Sequence, residues 1–296
     1  MGRDVSLHKA LTSLDGLSLG DAFGELFFRL SPFEVSLDDL PPGPWPWTDD
    51  THMALSIVEI LTRFGCIEQD ALSRAFARRY VQDPRRGYAG GAARLLRQLA
   101  QGGDWRDWAP RLFGGGSFGN GAAMRVAPVG AYFFRDLRRA AKEAGLSAMI
   151  THAHPEAQAG ASAVAVAAGI AANRPYPRGR DFLREVIPLI PESLTQKKLR
   201  RALEIPGDDL EEAARELGTG YEVSVQDTVP FCLWSAAYHL EDFKAALWWT
   251  VQGLGDRDTT CAIVGGIVAL SASELPADWL MRREPLLWEK GGDFPE

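Results

Sequence analysis

Thr48-Asp49-Asp50-Thr51 follows a proline-rich stretch, PPGPWPW at 41–47, and opens an apolar run that begins near His52. Proline excludes helix before it, so these four residues sit at a helix N-terminus. Carboxylates and hydroxyls there accept free N–H groups and suit the helix dipole, and capping alone would account for one such cluster. The same grammar returns at Gly255-Asp256-Arg257-Asp258-Thr259-Thr260, again just before a helix of small apolar residues. If the two helix starts meet, four carboxylates and two or three hydroxyls converge. That much negative charge cannot stay buried and ionised without cations. All-oxygen donors select hard cations, and Mg²⁺ is the natural occupant. Two Mg²⁺ ions would neutralise Asp49, Asp50, Asp256 and Asp258, in a two-metal site roughly 3.5–4 Å across that leaves an electrophilic patch for a substrate oxygen.

Three further segments carry candidate chemistry. Gly114-Gly115-Gly116-Ser117-Phe118-Gly119-Asn120-Gly121 precedes the helical run AAMRVAPVGAYFF. It contains a formal G-x-G-x-x-G, but no strand precedes it and no P-loop lysine follows, so neither a dinucleotide fold nor a P-loop is implied. What remains is a row of backbone N–H groups at a helix start, an anion cradle suited to a diphosphate, with an ordinary flexible loop as the bland alternative. Thr151-His152-Ala153-His154 lacks the i, i+4 histidine spacing of a zinc helix, and leaves His152 as a substrate contact or a structural histidine. In Leu19-Gly20-Asp21-Ala22-Phe23-Gly24-Glu25, the two glycines share one helix face, which lets a backbone or a ligand come close. Asp21 and Glu25 share a neighbouring face, as a carboxylate pair that could supply a general base or simply face solvent.

The elements that must position these groups are helices. Apolar residues recur at three and four, as in Leu7, Ala10, Leu11 and Leu14, or Val229, Leu233, Ala236 and Ala237. Only Tyr221–Val225 (YEVSV) alternates like a short strand. The expectation is an all-α, compact multi-helix bundle forming a single domain over residues 1–296, with the small-residue runs 159–172 and 259–273 as its central helices. No 33- to 47-residue repeat marks a solenoid. The 296 residues carry 32 basic and 39 acidic side chains, so no basic field for nucleic acid or an anionic membrane is expected. The longest small-apolar run is shorter than the roughly 20 residues a membrane helix needs, and no secretory leader is apparent, so a cytoplasmic location is expected. Cys66, Cys232 and Cys261 lack C-x-x-C spacing and read as small hydrophobes.

Taken in order, GDAFG, WTDDT, RGY, GSFGNGAAMRVAP, TH and GDRDTT resemble the motifs of the ADP-ribosylglycohydrolase family over roughly residues 5–273. The resemblance implies an all-α fold with a binuclear Mg²⁺ centre that hydrolyses the bond between ADP-ribose and an acceptor. It implies Thr48, Asp49, Asp50, Asp256, Asp258 and Thr259 as metal ligands. It implies Ser117, Phe118, Gly119, Asn120 and Met124 as pocket residues, with Gly121 in the same loop, Gly87 and Tyr88 nearby and His152 at the edge. Asp21 joins the substrate-binding set, and Asp49, Asp50 or Glu25 accepts the proton of the attacking water. Two positions depart from the family pattern. Many relatives place a glutamate four residues beyond the last glycine of GDAxG, where this chain has Phe28, and Arg257 stands where a threonine is usual. The first departure keeps a second expectation open, an ADP-ribose-binding module with weak turnover.

Overall fold

The computed structural model of the chain describes residues 2–286, with side chains from Asp4 onward; the ends of the expected 1–296 domain lie outside the described residues. Among the described residues there are fifteen α-helices and no strand. They are α1 (Gly2–Leu26), α2 (Asp49–Phe64), α3 (Gln69–Gln82), α4 (Gly90–Ala100), α5 (Trp105–Trp108), α6 (Ala127–Tyr132), α7 (Leu137–Met149) and α8 (Pro155–Ala171). The series continues with α9 (Gly179–Val186), α10 (Leu194–Ala202), α11 (Leu210–Leu217), α12 (Val225–Tyr238), α13 (Phe243–Val251), α14 (Arg257–Val268) and α15 (Ala277–Arg282). One continuous apolar core joins them, from Ala10 in α1 to Trp279 in α15.

The axis of the fold is the pair α1 and α14. A Cβ on Gly16 would lie 2.3 Å from Ala269 Cβ, one on Gly20 2.1 Å from the Cys261 carbonyl oxygen, and one on Gly24 2.2 Å from the Arg257 carbonyl oxygen. Partner numbers fall as α1 numbers rise, so the helices are antiparallel and the last turn of α1 meets the first turn of α14. The glycine face read from the sequence therefore admits a backbone, not a ligand. Its register sets Asp21 beside the acidic start of α14.

α8 is the second central element, buried from Ala157 to Ala171 except for Gln158. His154 caps it, Pro155 stands in its first turn, and α6 crosses it where a Cβ on Gly130 would come within 1.9 Å of the Ala165 carbonyl oxygen. α7 ends just before Thr151-His152 and α8 begins just after, so both helices aim one end at the same corner of the molecule.

Two local expectations are corrected. Tyr221–Val225 forms no strand: Ser224 makes a single isolated bridge to Gly119, and Val225 opens α12. Gly218, Gly220 and Val223 have φ of 88°, 84° and 53°, which an extended strand cannot accommodate. The Gly-rich loop leads into a 3₁₀ turn at Asn120–Ala122 rather than directly into an α-helix, and α6 starts only at Ala127, with Pro128 in its first turn. No described helix is long and apolar enough to cross a membrane.

Candidate active site

The proline-rich lead-in is held by Arg86. Its guanidinium stacks on the Trp47 ring at 3.6 Å, donates to the Trp47 carbonyl at 3.1 Å, and pairs with both carboxylate oxygens of Glu284 at 2.7 and 2.9 Å. This fixes where α2 begins. Thr48 is its N-cap and accepts from the Asp50 N–H.

Asp21, one turn before the end of α1, binds the same helix start from below. It accepts from Thr48 N at 2.9 Å, Thr48 Oγ1 at 2.9 Å and Thr51 N at 3.0 Å, and from the Thr51 hydroxyl. Asp21 therefore acts as a second cap for α2, supplied from outside that helix. Its carboxylate, with those of Asp50 and Asp258, forms a triad whose oxygens lie within 4.8 Å of one another. The two acidic helix starts do meet, through a third helix that contributes an aspartate of its own.

Burial pushes the Asp50 carboxyl well above its ordinary range, and Asp258 adds to the effect. Burial likewise raises Asp258, helped by Asp256. Asp49 is pushed up to about 7 by burial and then by Asp21 and Asp256. Asp21 reaches about 6 through burial, held back by its hydrogen bonds to Thr51 and Thr48. Asp50 Oδ1 is buried with no hydrogen-bond partner. An all-oxygen set of crowded, desolvated carboxylates with one orphaned oxygen fits a hard divalent cation.

Above the triad opens a cavity of about 440 Å³. Asp49, Asp50, Asp256, Asp258 and Thr259 form its acidic floor. Ser117, Phe118, Gly119, Asn120, Gly121 and Met124 form one wall, with Gly87 and His152 beside them. Asn120 ties this wall to the floor, donating to Asp256 Oδ2 at 2.7 Å and to Thr228 Oγ1 at 3.1 Å. Gly87, at φ 93°, passes close to Asp49: a Cβ there would sit 3.4 Å from Asp49 Oδ1.

Not every expected site residue faces the cavity. Asp21 and Thr48 lie beneath the floor, bonded to each other. The Tyr88 side chain turns away, with its hydroxyl 2.9 Å from His52 Nδ1 and its ring edge-on to Tyr80. Glu25 is half-buried near Arg29, off the cavity wall, and burial raises its carboxyl. In turn, the structure adds Met53, Ala92, Leu112, Phe113, Glu222 and Val223 to the lining. Of these, Glu222 and Val223 fall in the Tyr221–Val225 segment, whose alternation suggests a strand. Phe113 adopts φ 55°, a conformation its residue type does not announce.

Residues 3–290 match the family model described as ADP-ribosylglycohydrolase. The chain belongs to the ADP-ribosylglycohydrolase family. It is 30% identical over 280 residues to an uncharacterized protein of Archaeoglobus fulgidus, covering 90% of this chain and 88% of that one. It is 28% identical over 274 residues to the ADP-ribosylhydrolase ARH3 of Danio rerio, covering 80% of this chain and 73% of the relative. A solved structure titled ADP-ribosylglycohydrolase-related protein complex shares the fold, with TM-score 0.57 and 23% identity over 95% of this chain and 94% of that one. Within this ADP-ribosylglycohydrolase fold, the two departures read from the sequence touch each other. Arg257 turns away from the carboxylate floor, donates to the Phe27 carbonyl at 2.6 Å and lies 5.0 Å over the Phe28 ring. The guanidinium thus clamps the segment after α1 against the start of α14.

Proposed function

We propose that the chain is a Mg²⁺-dependent hydrolase that cleaves the glycosidic bond between ADP-ribose and an acceptor, a protein side chain, nucleobase or small molecule, with two Mg²⁺ ions as cofactors. The observation that carries this reading is the placement of both acidic helix starts on the floor of the cavity whose wall is the Gly-rich loop, in a chain of the ADP-ribosylglycohydrolase family. Asp49, Asp50, Asp256, Asp258 and Thr259 would hold the cations, with Asp21 and Thr48 locking the floor from below. When bound, the cations supply positive charge that offsets the carboxylates and polarises oxygens of the distal ribose.

The residues of the chain do the rest. In loop 117–121 the Gly119 N–H donates to Ser117 Oγ and the Asn120 N–H to the Val223 carbonyl, which leaves the backbone N–H groups of Ser117, Phe118 and Gly121 for the diphosphate, and the exposed rings of Phe113 and Phe118 offer flat apolar faces to the base at the cavity mouth. The distal ribose then lies toward the carboxylates. Asp49, in the floor and beside Gly87, orients a water and takes its proton as the water oxygen bonds to C1″; the bond from C1″ to the acceptor breaks, and the leaving atom takes up the proton that Asp49 has accepted.

A second reading, an ADP-ribose-binding module with weak turnover, is favoured by Phe28 at the glutamate position and by Glu25 standing off the cavity wall. Release of free ADP-ribose from a panel of arginine-, serine-, nucleobase- and small-molecule-linked conjugates separates the two. Asp49→Asn should lower kcat by about 10²- to 10⁴-fold with ADP-ribose affinity retained. Glu25→Gln should stay within about threefold, because an off-wall carboxylate contributes no general-base factor. A collapse of kcat in Glu25→Gln would return the base to Glu25.

A further inference from the structure

Arg125 is fully buried in the short stretch between the 3₁₀ turn and α6, and no carboxylate among the described residues forms an ion pair with it. Its guanidinium stacks over the Phe76 ring at 4.4 Å and points Nη1 at the Met53 sulfur, 3.5 Å away. Nη2 donates to the Ser147 carbonyl at 3.0 Å and to Thr151 Oγ1 at 2.9 Å. Burial pulls its pKa down to about 9, which leaves it a cation at neutral pH. A buried charge of this kind is costly and needs a reason to be there.

The reason is legible one bond further on. Thr151 Oγ1 lies 2.8 Å from His152 Nδ1. Guanidinium has only donors, so the Thr151 oxygen accepts from Arg125. Among the described residues, the remaining hydroxyl proton has one partner within reach, His152 Nδ1. If Nδ1 carried a proton instead, that hydroxyl proton would be stranded in the core and a second N–H would face the guanidinium. Burial and the Arg125 charge also hold the imidazole neutral, with a pKa of about 3. A neutral ring with a bare Nδ1 carries its proton on Nε2. Nε2 is the edge that faces the Gly-rich loop: Cβ atoms on Gly121 and Gly119 would stand 3.1 and 3.4 Å from it.

The geometry points to Arg125 and Thr151 as positioning residues that fix His152 in the Nε2–H form, so that the pocket presents an uncharged N–H donor beside the loop N–H groups to an acceptor oxygen of the ligand's diphosphate. The ligand in this inference rests on the function proposed above; the tautomer does not. A lone histidine would be split between tautomers and would charge as pH falls, whereas this relay holds one donor form ready before the ligand arrives.

Long-range ¹⁵N NMR of histidine rings in the free protein reads the tautomer directly, with the His152 signal assigned by its loss in His152→Gln. The wild type should show an unprotonated Nδ1 and a protonated Nε2 at pH 7. Thr151→Val removes the hydroxyl and should give a tautomer mixture, with ADP-ribose affinity by calorimetry reduced in proportion to the lost Nε2–H form, about twofold for an even mixture. Thr151→Ser should restore both the signature and the affinity. Arg125→Met frees the Thr151 oxygen and should also mix the tautomers; should this core substitution prevent folding, the Thr151 pair still decides. Protonation of Nδ1 in the wild type, or an unchanged ¹⁵N signature in Thr151→Val, overturns the relay. Absence of ADP-ribose binding by the wild type, with the predicted signature intact, counts against the ligand and leaves the relay standing.

Discussion

Asp50→Asn should move the stability of the protein in opposite directions depending on whether cations are present. Asp50, Asp21 and Asp258 have oxygens within 4.8 Å of one another. At that separation and an effective dielectric of 20, each ionised pair repels by roughly 332/(20 × 4.8), or ~3.5 kcal/mol. Part of this is relieved by proton uptake, since burial raises all three carboxyls and neighbouring carboxylates push Asp50 and Asp258 up further. The net penalty that Asp50 imposes on the cation-free fold is therefore ~1–3 kcal/mol. Asparagine keeps an oxygen that can accept from Thr48 Oγ1, now 3.1 Å from Asp50 Oδ2, and removes the charge. In EDTA at pH 8 the variant should melt ~2–6 °C above the wild type. With Mg²⁺ added, the wild type should rise as ligand binding to the folded state stabilises it, and the variant should rise far less. Differential scanning fluorimetry over a Mg²⁺ series gives both numbers. A variant that melts lower than wild type in EDTA and keeps the full Mg²⁺ shift would refute the reasoning, because it would show that Asp50 is neither repelled by its neighbours nor used by the ion.

Three further expectations follow from other parts of the structure. Gly20→Ala places a methyl 2.1 Å from a backbone oxygen of α14 and should cost ~3 kcal/mol or more, read as a lower denaturation midpoint; a loss below 1 kcal/mol would contradict the close α1–α14 packing. Arg257→Ala breaks one charged hydrogen bond and one cation–π contact and should cost ~2 kcal/mol in urea unfolding, while Mg²⁺ affinity stays within a few-fold; strengthened Mg²⁺ binding would mean that the guanidinium does act on the carboxylate floor. His152 has a folded pKa of about 3 against about 6.5 unfolded, so the unfolded state gains protons first and stability is lost as pH falls through that window. Between pH 7 and 5 the wild type should therefore lose ~2 kcal/mol more than His152→Gln, and parallel pH curves for the two proteins would contradict a buried neutral imidazole.

The parts of the site legible in the sequence were those with local causes. Proline before Thr48 and the Asp-Thr pairs before apolar runs mark helix starts wherever they occur, and both starts are where the residues place them. The role of Asp21 was not legible as such, because its hydrogen-bond partners are Thr48 and Thr51, in another helix. The glycine spacing in α1 announced a close approach but not by what; only the register against α14 shows that a backbone fills it. The Tyr-Glu-Val-Ser-Val segment misled because its side chains favour strands, while positive φ at Gly218, Gly220 and Val223 bends the backbone into a loop. The apolar side of the cavity, Leu112, Phe113 and Ala92, consists of residue types that occur in any core, and nothing in their spacing sets them apart. Arg125 does carry a sequence signal: a lone arginine inside the apolar run AAMRVAP is a charge in the core, and such a charge needs a task.

Under the proposed function, release of ADP-ribose from a conjugate depends on cations held by the paired helix starts. The measurement that tests it most directly is the rate of free ADP-ribose release by the purified protein from the conjugate panel, in EDTA, after Mg²⁺ is restored, and with Asp258→Asn in parallel. The wild type should turn over at least one conjugate, lose that activity in EDTA and regain it with Mg²⁺, and Asp258→Asn should show none despite an unchanged helical circular dichroism spectrum. Turnover that persists undiminished in EDTA and in Asp258→Asn, or no turnover of any conjugate by a wild-type protein that binds ADP-ribose and Mg²⁺, would contradict it.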